Sequence, residues 1–204
     1  MDIECVLRGV VADGDLEALL IRLDSFCDAA TKATVSYHER VFRADGVTRT
    51  SDTARGSRGT VLLRVRQHEA HPTQPELLYL YPLQRRKTER TATRRRIAVP
   101  TVGNAADFVS GLGFALDHEL HVRGTRYVFK DALVVTVTRL YKVTEGADPF
   151  ATTNAVDPAH LVEIVGTTSA ARSPPVVGSE MAEFAEQLHP LVLTNLFLED
   201  GFKL

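Results

Sequence analysis

Short segments rich in β-branched and aromatic residues follow one another at hairpin spacing along nearly the whole chain, and only three stretches interrupt them with a helical period. Strand after strand without intervening helices cannot build βαβ units, so the chain must form an antiparallel sheet or barrel. The segments are 3–11, 35–43, 60–67, 77–81, 95–99, 116–123, 125–129, 132–143 and 161–168. Their alternation says which face is which. In Leu62-Leu63-Arg64-Val65-Arg66, a period of two sends Leu63 and Val65 to one side and Leu62, Arg64 and Arg66 to the other. Likewise Leu116, His118, Leu120 and Val122 share a face, with Asp117, Glu119, His121 and Arg123 opposite. A sheet with one apolar and one charged face can close into a barrel with a polar lumen and helices packed outside.

The helices follow from periodicity and caps. Leu16, Leu19, Leu20, Leu23, Phe26, Cys27 and Ala30 fall on one stripe of a helix of about four turns, with Asp15 as its N-cap. Asn104 caps a second helix over 105–112, and Gly113 supplies a left-handed stop. Ser179 caps a third, in which Met181, Phe184, Leu188 and Leu191 share a face until Pro190 interrupts it. Segments 44–59 and 145–158, polar with glycines and acidic with prolines respectively, read as loops.

With 204 residues, 44% hydrophobic and 25% charged, the chain has the size and composition of one globular domain, 1–204. The same numbers exclude disordered, collagen-like, coiled-coil and disulfide-rich classes. Cys5 and Cys27 read as small buried apolar residues of a reducing compartment. No run of 18 apolar residues is present, so no membrane helix is expected. The start Met1-Asp2-Ile3-Glu4 is acidic where a secretory leader is basic, which points to the cytosol or nucleus.

Charge is uneven. Arg85, Arg86, Lys87, Arg90, Arg94, Arg95 and Arg96 stand against Glu89 alone, a local balance of +6 within an overall −2, so an acidic body carries one basic segment. A solvated turn between strands is the expectation there. Single-strand nucleic-acid binders interleave aromatic residues for base stacking, and this run has none, so direct nucleic-acid binding is not expected.

The patterns that carry chemistry are missing. His118-Glu119-Leu120-His121 falls one residue short of the zincin spacing, because position 122 is Val122, and it lies on a strand. Gly111-Leu112-Gly113 lacks the third glycine and the preceding strand of a dinucleotide loop. Seven histidines, at 38, 68, 71, 118, 121, 160 and 189, show no metal-ligand spacing. No catalytic, cofactor-binding or metal-ligating residue is nominated, and no cofactor is expected.

The strand pattern with its Arg-x-Arg strand resembles the triphosphate-tunnel (CYTH-like) hydrolases, whose first strand carries Glu-x-Glu-x-Lys to hold a divalent cation near a triphosphate. Here the equivalent run is Glu4, Val6, Arg8, and the late strand offers Glu163 alone. Hard cations need several oxygen ligands. The resemblance therefore implies a tunnel-like fold without the tunnel chemistry, with a triphosphate phosphohydrolase or a phosphate-binding barrel as the alternative.

Three blocks resemble the subunit 18 family of the Mediator complex of RNA polymerase II transcription. They are Val6-Leu7-Arg8-Gly9-Val10-Val11 with the helix Leu16 to Leu23 and Phe26-Cys27-Asp28; Asp107-Phe108-Val109 through Gly113-Phe114 to Asp117-His118-Glu119, Gly124 and Tyr141-Lys142-Val143; and His160-Leu161-Val162-Glu163-Ile164 with Phe184-Ala185-Glu186-Gln187-Leu188 and Pro190-Leu191-Val192. Tyr37-His38-Glu39-Arg40-Val41-Phe42 fits the same order. The resemblance implies a non-catalytic, nuclear barrel of the Mediator head module. It would pair with the related barrel of Mediator subunit 20 and grip a C-terminal helix of subunit 8, alongside other head subunits and the RNA polymerase II machinery. The tail 193–204, with Leu193, Leu196, Phe197 and Leu198, either packs back on the barrel or forms interface.

Overall fold

The computed structural model describes residues 2–44, 61–84, 91–144, 146, 148–151, 153–169 and 172–194. The strands are β1 (Asp2–Val11), β2 (Ala33–Ala44), β3 (Leu62–His68), β4 (Glu76–Leu80), β5 (Ala92–Pro100), β6 (Phe114–Phe129), β7 (Leu133–Lys142), β8 (His160–Thr167) and the two-residue β9 (Leu193–Thr194). The sheet runs β5-β4-β3-β2-β6-β7-β8-β1, every neighbouring pair is antiparallel, and β1 pairs with β5 from Asp2 to Val6. That last pairing closes an eight-stranded barrel. β9 joins the same edge of β1 further along, at Gly9 and Val10, where β5 has already left it.

Three helices lie outside. Helix α1 (Leu16–Phe26) and α3 (Pro174–Leu188) cover one arc of the wall, and α2 (Ala105–Gly111) covers another. The main apolar core sits between the wall and helices α1 and α3. Cys5, Leu7 and Val11 of β1, Val135 and Val137 of β7, and Val162 and Ile164 of β8 meet Leu19, Leu23, Val177, Met181, Phe184 and Leu188. A smaller cluster under α2 holds Phe42, Leu63, Val65, Ala105, Ala106 and Val109. The period-two reading of β3 is thus met: Leu63 and Val65 turn outward under a helix, and Arg64 and Arg66 turn inward.

Several sequence expectations change. Segments 116–123 and 125–129 are one sixteen-residue strand, because Gly124 is a point of close approach and not a break. A Cβ there would stand 2.0 Å from the Val137 carbonyl oxygen of the neighbouring strand. Helix α3 begins at Pro174, not at Ser179; two prolines in its first positions are pre-set for a helical start, where missing N–H groups cost nothing. Helix α1 ends at Phe26, three turns long, so Ala30 falls in a separate 3-10 turn (Ala29–Thr31). Asp15 makes no side-chain capping bond, because Asp13–Asp15 already form a 3-10 turn leading into the helix. Asn104 does cap α2 by accepting from the Asp107 N–H, and Gly113 takes φ +89° as the stop requires. Both cysteines are buried. Loop 44–59 lies outside the described residues after Ala44. Among the described residues, no helix is long and apolar enough to cross a membrane.

Candidate functional site

Because cross-strand partners share a face, register fixes what lines the lumen. Glu4, Val6 and Arg8 of β1 stand level with Arg94 and Ala92 of β5 on one side and with Thr167, Val165 and Glu163 of β8 on the other. Glu39 stands level with Arg66 and Leu120, and Arg66 with Glu76. Ten side chains from six strands therefore converge inside: four glutamates, five arginines and Tyr37.

Each carboxylate is held by arginine. Glu39 accepts from Arg64 at 2.7 Å through one oxygen and from Arg66 at 2.7 Å through the other. Arg8 and Arg94 reach Glu163 at 2.7 Å and 3.7 Å. Arg94 also donates to Glu4 at 2.9 Å, with Arg96 at 3.8 Å, and Arg96 donates to Glu76 at 3.2 Å. The Arg66 guanidinium lies 4.1 Å over the Tyr37 ring. Glu4, Glu39 and Arg94 are buried, while Arg8, Arg64, Arg66, Arg96, Glu76 and Glu163 are partly open to solvent.

The electrostatics follow from burial against charge. Burial alone would raise the Glu39 carboxyl, but Arg66 and Arg64 outweigh it and hold it at about 2. Burial likewise acts to raise Glu163, and Arg94 and Arg8 bring it below its ordinary value. Burial pushes the Tyr37 hydroxyl up to about 12. All four glutamates thus work as counter-ions to guanidinium groups. A divalent cation entering here would have to displace arginines from the oxygens it needs, and among the described residues no group of three or more His, Cys, Asp or Glu is placed to hold a metal.

The histidine motif of the sequence is pulled apart. His118 lies beside Asp117 at 2.8 Å. Glu119 meets His38 at 2.9 Å, while His121, fully buried, meets Ser36 at 3.0 Å under the edge of the Phe150 ring, 5.1 Å away. Ser36, His38, Glu119 and His121 lie on the outer face of β2 and β6, whereas His118, level with Val41, is on the lumenal side. A bulge between Val41 and Phe42 puts Leu116 level with outward-facing Phe42, so it does not share the face of His118, Leu120 and Val122 as alternation alone predicts. On β6, Leu120 and Val122 face the lumen, so the inner wall is apolar at their level.

The basic segment also resolves differently from a solvated turn where it is described. Arg94 and Arg96 sit on β5 and turn into the lumen, Arg95 remains exposed, and 85–90 lie outside the described residues. Sequence reading marked Glu4, Arg8, Arg64, Arg66 and Glu163 but missed the part played by Glu39, Glu76, Arg94 and Arg96. Alternation in 92–100 (Arg94, Arg96, Ala98 on one face) was the available signal.

The tail packs back as far as it is described: Val192 is buried in the main core, Leu191 packs against it, and β9 pairs with β1. Residues 195–204, with Leu196, Phe197 and Leu198, lie outside the described residues.

No family model matches the chain. Curated relatives do: it is 30% identical over 196 residues to the Xenopus tropicalis protein named Mediator of RNA polymerase II transcription subunit 18, covering 93% of this chain and 86% of the relative. Among solved structures it resembles a chain of the Schizosaccharomyces pombe Mediator head module, with a TM-score of 0.71 at 16% identity over 94% of this chain and 97% of that one. The barrel itself is shared with triphosphatases: a Hippeastrum protein described as a putative adenylyl cyclase with a dominant triphosphatase activity superposes with a TM-score of 0.53 at 12% identity, over 92% and 88% of the two chains.

Proposed function

The chain belongs to the Mediator subunit 18 family, and from that premise we propose that it is a non-catalytic scaffold of the Mediator head module. Its lumenal acids are neutralised, and its outer wall does the work. The observation that carries this reading is an apolar stretch of wall that none of the described helices covers. Ile3, Ile97 and Val99 on neighbouring strands are exposed, Val102 just beyond β5 is 94% exposed, and Tyr79 stands level with Ile97. On a monomer such a patch is unfavourable in water, and burying it against a second subunit contributes roughly 25 cal/mol per Å².

On this reading the partner at the bare wall is the related barrel of Mediator subunit 20. The C-terminal helix of subunit 8 docks elsewhere by a row of apolar anchors, for which exposed Phe108 on α2, Leu112 at its C-cap and Leu116 on β6 form a candidate seat. Residues 1–204 act as one unit, and the other head subunits and the RNA polymerase II machinery are reached through the assembled complex in the nucleus. Direct nucleic-acid contact has no part in it.

Co-expression with subunits 20 and 8 tests the proposal. A stoichiometric complex should elute from gel filtration. Val99→Asp with Ile97→Asp should abolish the barrel–barrel contact while leaving the far-ultraviolet spectrum unchanged. Failure of the wild-type chain to bind either subunit overturns the reading. So does hydrolysis of triphosphate with Mn²⁺ or Mg²⁺ that disappears in Arg64→Ala and Glu4→Ala.

A further inference from the structure

We propose that Arg95 sets the specificity of the bare wall: the protein surface that docks there presents a carboxylate to its guanidinium, inside an otherwise apolar contact. This rests on the reading that a second barrel subunit covers the wall, and it adds the chemistry by which that subunit is told from any other apolar surface.

Register places Arg95 in the middle of the patch. It stands level with Ile3 of β1 on one side; on the other, the Tyr81 N–H just past β4 donates to the Arg95 carbonyl at 3.0 Å. The next row along is Ile97 with Tyr79, and the row after it Val99 with Leu77. Helix-covered residues bound the wall. Cys5, level with Thr93, lies in the core under α1 and α3, while Leu63 and Leu77 pack with the cluster under α2. Among the described residues, Arg95 is the one charge at the outward positions of β4 and β5.

Its neighbours in sequence behave differently. Arg94 and Arg96 turn into the lumen and are held by Glu4 and Glu76, whereas Arg95 is exposed and forms no ion pair among the described residues. In the isolated chain water solvates it. A subunit seated on Ile3, Ile97 and Val99 removes that water, and a guanidinium buried without a counter-ion is strongly unfavourable. A wholly apolar partner face is therefore rejected, while a carboxylate can take two N–H groups of the planar fork at once. Tyr79 and Tyr81 stack edge to face on the same wall, with ring centroids 4.5 Å apart. Aromatic rings beside an arginine are the composition in which interface energy concentrates, because the rings exclude water from the charged contact.

The sign of one substitution decides the matter. The full chain and its variants are titrated calorimetrically with subunit 20 at low and high salt. Arg95→Met keeps the reach of the side chain and removes its charge; it should weaken binding roughly 30-fold or more and reduce the salt dependence. Arg95→Lys should retain part of the affinity, because the charge stays and the fork is lost. Each surface Asp and Glu of subunit 20 is also changed in turn to Asn or Gln. One of these changes should lose as much as Arg95→Met and nothing further when combined with it. Thermal midpoints and far-ultraviolet spectra of the Arg95 variants should match wild type, since the side chain has no partner to lose in the isolated chain.

Arg95→Met binding as tightly as wild type, or more tightly, overturns the inference and leaves docking at the wall standing, because a purely apolar contact gains from the methionine. Losses that add fully for every acid of subunit 20 overturn it as well. A wild-type chain that does not bind subunit 20 at all sinks the docking reading and this inference together.

Discussion

Glu39 is the carboxylate whose removal should cost most. It is 5% exposed, and its two oxygens neutralise Arg64 and Arg66. In Glu39→Gln the side chain keeps its shape but leaves two guanidiniums in the lumen without their counter-ion, a defect of about 3–5 kcal/mol for a buried pair. The pH dependence gives an independent figure. The carboxyl sits at about 2 in the folded protein against an ordinary 4.5, and that gap corresponds to about 3 kcal/mol of stability. Its sign is set by the depressed value: the stabilisation is present above about pH 4.5 and is lost as pH falls toward 2.

Denaturant titration of the wild-type chain and Glu39→Gln at pH 7 should therefore differ by about 3 kcal/mol, and thermal midpoints by roughly 10 °C for a chain of this size. Between pH 4.5 and pH 3 the wild-type curve should fall more steeply than that of the variant. Replacing Glu39, Arg64 and Arg66 together by Met, Met and Leu should recover much of the loss, because the cost lies in the orphaned charges and not in the missing pair. A difference under 1 kcal/mol at pH 7, or a triple variant less stable than the single one, would refute the account of the lumen as a set of mutually dependent ions.

Two further outcomes follow from other parts of the wall. Gly124→Ala should abolish folding or lower the thermal midpoint by more than a change at any other described glycine, because the new methyl meets backbone of β7 at 2.0 Å and 2.7 Å and no rotamer can relieve it; a midpoint within about 3 °C of wild type would contradict the strand spacing. His121 is fully buried, and burial first, then Arg123 and His38, lowers it below its ordinary value against the opposite pull of Glu69 and Asp148. The unfolded chain then takes up the proton first on acidification, so stability should decline as pH drops below about 6.5. The decline should shrink in His121→Gln, measured by denaturant titration at pH 7 and pH 5.5, and an unchanged slope would place the effect elsewhere.

Patterning along the chain was enough to specify the class of fold and the two faces of the strands. Alternation such as Leu63, Arg64, Val65 and Arg66 needs only neighbours along the chain, and a period of two is a property of the extended backbone. The same locality made α2 legible down to its cap and stop. It failed where a residue's meaning lies on another element: Gly124 looks like a break until β7 lies against it, and Ser179 looks like a cap until Val177 and Gly178 before it are seen packed inside the helix. Tertiary structure alone decided what the charged face does. Arg8 and Glu163 are 155 positions apart and Arg94 and Glu4 are 90 apart. Closure of the barrel turns scattered acids and bases into counter-ions, because only closure brings them within a few ångströms and removes enough water for their attraction to count.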